Sequence, residues 1–151
     1  MVRPETVDSI LGNLRSFQNK LNILAAHDHD EFVQDFTQVE SAKHLLQVSI
    51  ECCLDLAHHI IADAGLRAPA GYYDSFVVLN QTGIVPNDFM PTLRRMVSFR
   101  NRVVHLYWEV DEDTVYDILR NHLGDFDQYV QYILDYMAGQ SPASEPSDQA
   151  G

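Results

Sequence analysis

The sequence predicts an all-helical bundle of about five helices. Apolar residues recur at three- and four-residue spacing through long stretches, as they do along one face of a helix. No stretch alternates apolar with polar residues, and no hairpin signal, internal repeat or glycine-rich phosphate loop interrupts the pattern. A chain of 151 residues, 46% apolar and 21% charged, can bury a core of its own as one domain.

The first helix runs from Glu5 to about Ala26, with Ile10, Leu11, Leu14, Phe17, Leu21 and Leu24 at helical spacing. Pro4 precedes it, near the first turn where proline is tolerated. His27-Asp28-His29-Asp30 is a polar break, followed by a short turn around Phe32 to Phe36. A second long helix spans Ser41 to about Ala64. Leu45, Val48, Cys52, Leu56 and Ile60 mark one side of it, and Leu46, Ile50, Leu54 and Ile61 another. A helix apolar on two sides is the centre of the bundle or also part of an interface between copies. Gly65 is its expected C-cap. A short third helix covers Tyr73 to about Gln81 and ends at Thr82-Gly83. Asn87 or Asp88 is expected to cap a fourth, running to about Trp108. Asp111 caps a fifth from Glu112 to about Met137, with Val115, Ile118, Leu119, Leu123, Phe126, Val130 and Ile133 inward. The helical domain is thus expected over residues 1–138. Residues 139–151, small, polar and proline-containing, are expected to be a disordered tail.

The net charge of −12 excludes a protein coated for nucleic acid. The cations are concentrated, however. Four of the ten Lys and Arg residues are Arg94, Arg95, Arg100 and Arg102, and no acid falls between Asp88 and Glu109. A basic segment inside an acidic chain suits a local phosphate site. The only cysteines, Cys52 and Cys53, are neighbours; on a helix they diverge by about 100°, which leaves them as reduced core thiols. No run approaches 18 apolar residues and the N-terminus has no apolar leader, so no membrane association is expected and the cytoplasm is the expected location.

The informative stretch is Met96 to Asp111, MVSFRNRVVHLYWEVD. Placed on a helix with Arg100 at zero, Leu93 falls at about 20°, Val104 at about 40°, Val97 at about 60°, Met96 at about 320° and Tyr107 at about 340°. Arg100 therefore sits in the middle of an apolar stripe, where a charge is costly unless paired. Glu51 and Asp55 on the second helix are the available acids. Asn101 and His105, an i, i+4 pair, share the adjoining side with Ser98 and Arg94. Each residue alone has an ordinary structural explanation. Together, a fixed cation, an amide and an imidazole supply phosphate binding, positioning and proton transfer near neutral pH.

Arg100-Asn101, three further residues, then His105-Leu106-Tyr107 resemble the R-x4-H-x-Y motif of the HepT-like toxins, a branch of the HEPN superfamily. Phe99 before and Trp108, Val110 and Asp111 after agree with it, as do the stretches Ile50 to Ile60 and Tyr72 to Pro86. The resemblance covers about residues 5–137. It implies an up-and-down helical bundle, homodimeric, with the motif helices near the two-fold axis. It implies metal-independent endoribonuclease activity in which the ribose 2′-OH attacks the adjoining phosphodiester. His105 would move the proton, Arg100 would stabilise charge on the phosphoryl oxygens, and Asn101 and Arg102 would position the substrate. Arg100 and His105 lie about 140° apart on one helix, which favours a site shared between two copies. The resemblance further implies a toxin–antitoxin pair, in which a minimal nucleotidyltransferase antitoxin silences the toxin by transferring AMP to Tyr107. No cofactor and no metal are expected.

Other residues invite chemistry less strongly. His27-Asp28-His29-Asp30 lies in a break rather than on a rigid scaffold, and His58 and His59 diverge on their helix, so neither pair is expected to bind metal. The rival reading is a non-catalytic nucleotide-binding or adaptor subunit of a nucleotidyltransferase complex, with the same residues holding phosphate. A plain dimeric scaffold is a third.

Overall fold

The computed structural model describes residues 4–139 and contains no strand among them. Seven α-helices follow in order: α1 (Pro4–Ala25), α2 (His29–Val33), α3 (Phe36–Ala64), α4 (Tyr72–Gln81), α5 (Met90–His105), α6 (Glu112–Asn121) and α7 (Gly124–Gly139). Two 3-10 turns, Asn87–Phe89 and Tyr107–Glu109, precede and follow α5. The tail expected from residue 139 meets the end of α7 at Gly139; the remainder, 140–151, lies outside the described residues.

The apolar spacing becomes the core. In α1 the buried residues are Val7, Leu14 and Leu21, one stripe along one face. Helix α3 touches each of the other six helices, with α1, α2 and α6 on one side and α4 and α5 on another. Its two-sided apolarity is thus used within the chain: Leu46, Ile50, Leu54, Leu56, Ile60 and Ile61 are all buried. Both sides being filled, this pattern no longer argues for contact between copies. By length and composition α3 is apolar enough to cross a membrane, with a mean hydropathy of 1.3 over its most apolar stretch, of which 56% is buried against the rest of the bundle. Cys52 and Cys53 are free and buried.

Several boundaries differ from expectation. Helix α3 starts at Phe36 rather than Ser41, because Asp35 accepts a hydrogen bond from the Thr37 amide and caps it. The segment before it forms α2, whose Asp28 and Glu31 make a reciprocal capping box. Neither Asn87 nor Asp88 caps α5; they form a 3-10 turn after Pro86, and Pro91 sits in the first turn of the helix. The expected fifth helix divides into α6 and α7 at His122, whose amide closes the last turn of α6 on Ile118 O. Gly124, a weak helix former, opens α7.

One more difference shapes the site. Helix α5 ends at His105, not at Trp108. Leu106 leaves helical conformation, at φ −136° and ψ 47°, and Tyr107–Glu109 form a 3-10 turn. Carbonyls freed by the break find side-chain donors: Lys43 Nζ lies 3.4 Å from Tyr107 O, and Arg102 Nη2 lies 3.1 Å from Glu109 O. The break also lets Val110 reach the core, where it is 2% exposed, ahead of the Asp111 cap of α6.

Candidate active site

Arg100 lies on the face of α5 that carries Leu93, Met96, Val97 and Val103, all buried. Its side chain is only 13% exposed, and its charge is paired. Nε donates to Glu51 Oε2 at 3.1 Å, Nη2 stands 3.1 Å from the same oxygen, and Nη1 donates to Asn101 Oδ1 at 3.2 Å. The guanidinium also stacks over the Tyr72 ring, 4.7 Å from its centre. Of the two acids available on α3, Glu51 is the one engaged. Asp55 is exposed and stands off from Arg100.

The other side of α5 is open. Asn101, Arg102 and His105 line a shallow concavity of about 410 Å³ together with Arg94, Ser98 and Tyr73. His105 and Arg102 are exposed and Asn101 is half-buried. Arg94 stacks on the Tyr73 ring at 4.2 Å. Arg102 is steadied by its bond to Glu109 O and so presents a fixed charge at the rim. Arg100 does not line this concavity. Within one chain the motif's cation and its imidazole thus face different directions. A second cleft, about 430 Å³, sets Leu46, Ile50, Phe99 and Phe126 beside Arg95, Asp117 and Asp125, and none of Arg100, Asn101 and His105 lines it.

Tyr107 is not one more rung of α5. Coming after the break, it turns its hydroxyl away from the concavity to donate to Glu40 Oε2. Lys43 lies over its ring, 4.3 Å from the centre. Burial and the neighbouring Glu40 carboxylate push the phenol up to about 12. Glu40 and Lys43 escape sequence reasoning because the expected start of α3 at Ser41 leaves Glu40 outside it. With Asp35 recognised as the cap, the two fall one turn apart on one helix. Tyr72 and Tyr73 are missed for a simpler reason. Nothing local in the sequence tells that an aromatic pair at the start of α4 will stack on Arg100 and Arg94.

Two of the histidines outside the motif, His29 and His58, have structural partners. His29 bonds Asp30 at 3.0 Å and Asp113 at 2.5 Å, and these two carboxylates raise its pKa. His58 Nε2 lies 2.9 Å from Ser75 Oγ. No group of three or more His, Cys, Asp or Glu is placed to hold a metal ion among the described residues.

A bundle built round one central helix, with this set of side chains on α5, is the HEPN fold. The tri-AMPylated HEPN toxin of Shewanella oneidensis, solved in complex with its MNT antitoxin, superposes with a TM-score of 0.81 at 29% identity, over 88% of this chain and 99% of that one. Residues 9–133 match the ribonuclease HepT-like family, and the chain belongs to it. The mRNA nuclease HepT of Shewanella oneidensis is 37% identical over 106 residues, 70% of this chain and 80% of the relative. The tRNA nuclease HepT of Aphanizomenon flos-aquae is 24% identical over 137 residues, 89% and 87% of the two chains. The expected ribonuclease class is the one this family defines. YutE, a cytosolic Bacillus subtilis protein, shares the fold at a TM-score of 0.77 and 20% identity, over 92% of this chain and 93% of that one.

Proposed function

We propose that this protein is the toxin of a toxin–antitoxin pair, an endoribonuclease that cleaves RNA without a metal ion and works as a homodimer in the cytoplasm. One observation carries the reading: Asn101, Arg102 and His105 share an open concavity on a chain of a ribonuclease family. In the proposed reaction the ribose 2′-OH attacks the adjoining phosphorus, the bond to the 5′-oxygen breaks, and the products are a 2′,3′-cyclic phosphate and a 5′-OH. His105 moves the proton, being exposed and so able to reach a ribose or a leaving oxygen. Arg102, fixed at the rim, and Asn101 position the phosphate. Arg100 stabilises charge on the phosphoryl oxygens.

Dimerisation is part of this reading, because one copy turns Arg100 and His105 to different sides. Val104, Leu106, Trp108 and Tyr72 support it: these large apolar side chains are exposed, at 39%, 38%, 77% and 45%, at the end of α5 and the start of α4. A two-fold contact there would make each copy's residues available to the other.

Silencing, in the same reading, is AMP transfer to Tyr107 by a nucleotidyltransferase antitoxin, which adds bulk and negative charge two residues from His105. The test uses chain purified free of any partner and incubated with RNA. Cleavage leaving 2′,3′-cyclic phosphate ends, unchanged by EDTA and abolished after treatment with the partner, ATP and Mg²⁺, is expected. Tyr107→Phe should cleave RNA and escape the silencing. Intact RNA throughout would instead favour the adaptor reading, in which the concavity binds phosphate without cleaving it.

A further inference from the structure

Two tyrosines of this bundle are settled in different ways. Tyr129 is fully buried and donates to the carbonyl of Cys53 at 2.8 Å, the ordinary way to satisfy a structural phenol. Tyr107 donates to the carboxylate of Glu40. Lys43, one turn further along α3, covers the Tyr107 ring, bonds its carbonyl at 3.4 Å and stands 4.0 Å from Glu40 Oε1. Packing a tyrosine requires neither charge. Lys43 is also, at 6% exposure, the one charged residue among those described that the fold buries. Burying an ammonium is costly, so the fold maintains this trio against an opposing free-energy term.

We infer that Glu40 is the proton acceptor for Tyr107 when the tyrosine receives its nucleotidyl group, with Lys43 holding carboxylate and phenol in register. This inference rests on the reading of Tyr107 as the modified residue. In the step, Tyr107 Oη forms a bond to the α-phosphorus of ATP. The bond from that phosphorus to the oxygen bridging to the β-phosphorus breaks, and Mg-pyrophosphate leaves with the electron pair. The phenol proton passes to Glu40 Oε2. Glu40 is 45% exposed, so the proton can go on to water. A general base is needed because burial and the Glu40 carboxylate raise the phenol above its ordinary value, which keeps it protonated at pH 7. The new phosphodiester would then lie beside Lys43, which offsets its charge against Glu40. The charged group facing the pair is Lys43 on α3, and Lys43 in turn interacts with Asp111 beyond the 3-10 turn. That carboxyl is held below its usual range chiefly by hydrogen bonds from Thr114, with Arg102 and Lys43 contributing.

The experiment follows mass gain at Tyr107 in the full-length chain, with the partner nucleotidyltransferase, ATP and Mg²⁺. Glu40→Gln keeps an oxygen for the hydrogen bond and cannot take the proton. Its turnover is expected to fall by roughly 10²-fold or more with KM for ATP unchanged, and Glu40→Asp to recover part of the loss. The wild-type rate is expected to be flat from about pH 7 to 9, as for transfer to an ionised carboxylate. A rate that climbs tenfold per pH unit there signals a free phenolate nucleophile and overturns the inference, whether or not the Gln variant folds. Equal turnover in the wild type and a folded Glu40→Gln variant overturns it too, while leaving Tyr107 the modified residue. No mass gain at wild-type Tyr107 overturns both readings together.

Discussion

The two sides of α5 treat their cations in opposite ways. On one side Arg100 is nearly buried, neutralised by Glu51, bonded to Asn101 and covered by Tyr72. On the other, Arg94, Arg102 and His105 border an open concavity, with no carboxylate among its lining residues. Five positions along one helix thus separate a guanidinium locked in place from an imidazole free to meet solvent. The closed side costs more to build and fixes a charge in one position. The open side is built with little packing, so its residues can change without the fold responding. Stability should therefore respond to the closed side alone, while function draws on both sides of the helix.

The largest expected effect is on the open side. His105→Ala should lower single-turnover RNA cleavage by roughly 10²–10⁴, the range for loss of a positioned proton-transfer group. Because His105 is exposed, the melting temperature should stay unchanged. Residual cleavage within tenfold of wild type would remove the imidazole from the mechanism.

A mixing experiment sharpens the comparison. His105→Ala and Arg100→Ala chains, each inactive alone, are unfolded together and refolded. If each working site takes its arginine from one copy and its histidine from the other, every mixed dimer contains one intact site. About a quarter of wild-type activity should return, since half the dimers are mixed and each has one site of two. If both groups act within one copy, nothing returns.

How much of this was legible without coordinates differs from residue to residue. The helical class, the α3 stripe and the Gly65 cap follow from local spacing and one left-handed residue at φ 65°. The division between α6 and α7 was hidden because Leu119 and Phe126, about two turns apart, keep the same face whether or not the helix is continuous. The end of α5 was hidden for a different reason. Val103, Val104 and Tyr107 maintain helical spacing, while the Lys43 that bonds the Tyr107 carbonyl lies 64 positions away. The Arg100 partner was legible as an acid on α3. Glu51 and Asp55 sit one turn apart there, and only the packing of α5 on α3 selects between them. The concavity's set, Asn101, Ser98, Arg94 and His105, followed from angle alone because it lies within one unbroken helix.

On the closed side the response should extend to stability. An unpaired arginine in an apolar stripe would make Arg100→Ala stabilising. The Glu51 pair reverses that sign, because truncation leaves a half-buried carboxylate without its cation and uncovers Tyr72. Glu51 is 34% exposed, so solvent offsets part of the loss. A destabilisation of about 1–2 kcal/mol is expected in urea unfolding. Glu51→Gln should cost less than Arg100→Ala, since an amide oxygen still accepts from the guanidinium. An Arg100→Ala protein as stable as wild type would mean that the pair fixes geometry without contributing to the fold.

The smallest effect lies one step behind both sides, where α4 begins. Tyr72 and Tyr73 meet Arg100 and Arg94 because Asp74 ties the start of α4 to the loop before it. Asp74 takes Arg67 Nη1 and Nη2 at 2.7 and 2.9 Å and the Ala70 amide at 2.8 Å. Those bonds, the Arg67 pair first, hold its carboxyl at about 2, below its usual value of 3.8. A carboxyl depressed in the folded state stabilises the fold above its unfolded pKa and loses that contribution as the pH falls through the folded one. The contribution should thus be complete above about pH 4 and fade towards pH 2. Asp74→Asn should melt slightly below wild type at pH 7, and the gap should narrow as the pH falls from 4 to 2. The clamp is solvent-exposed, so salt should shrink the gap at neutral pH as well. A gap that stays constant from pH 7 to 2 would show that the carboxyl's charge is irrelevant. Asp74 would then matter only as an acceptor for the Ala70 amide, and the seating of Tyr72 on Arg100 would owe nothing to Arg67.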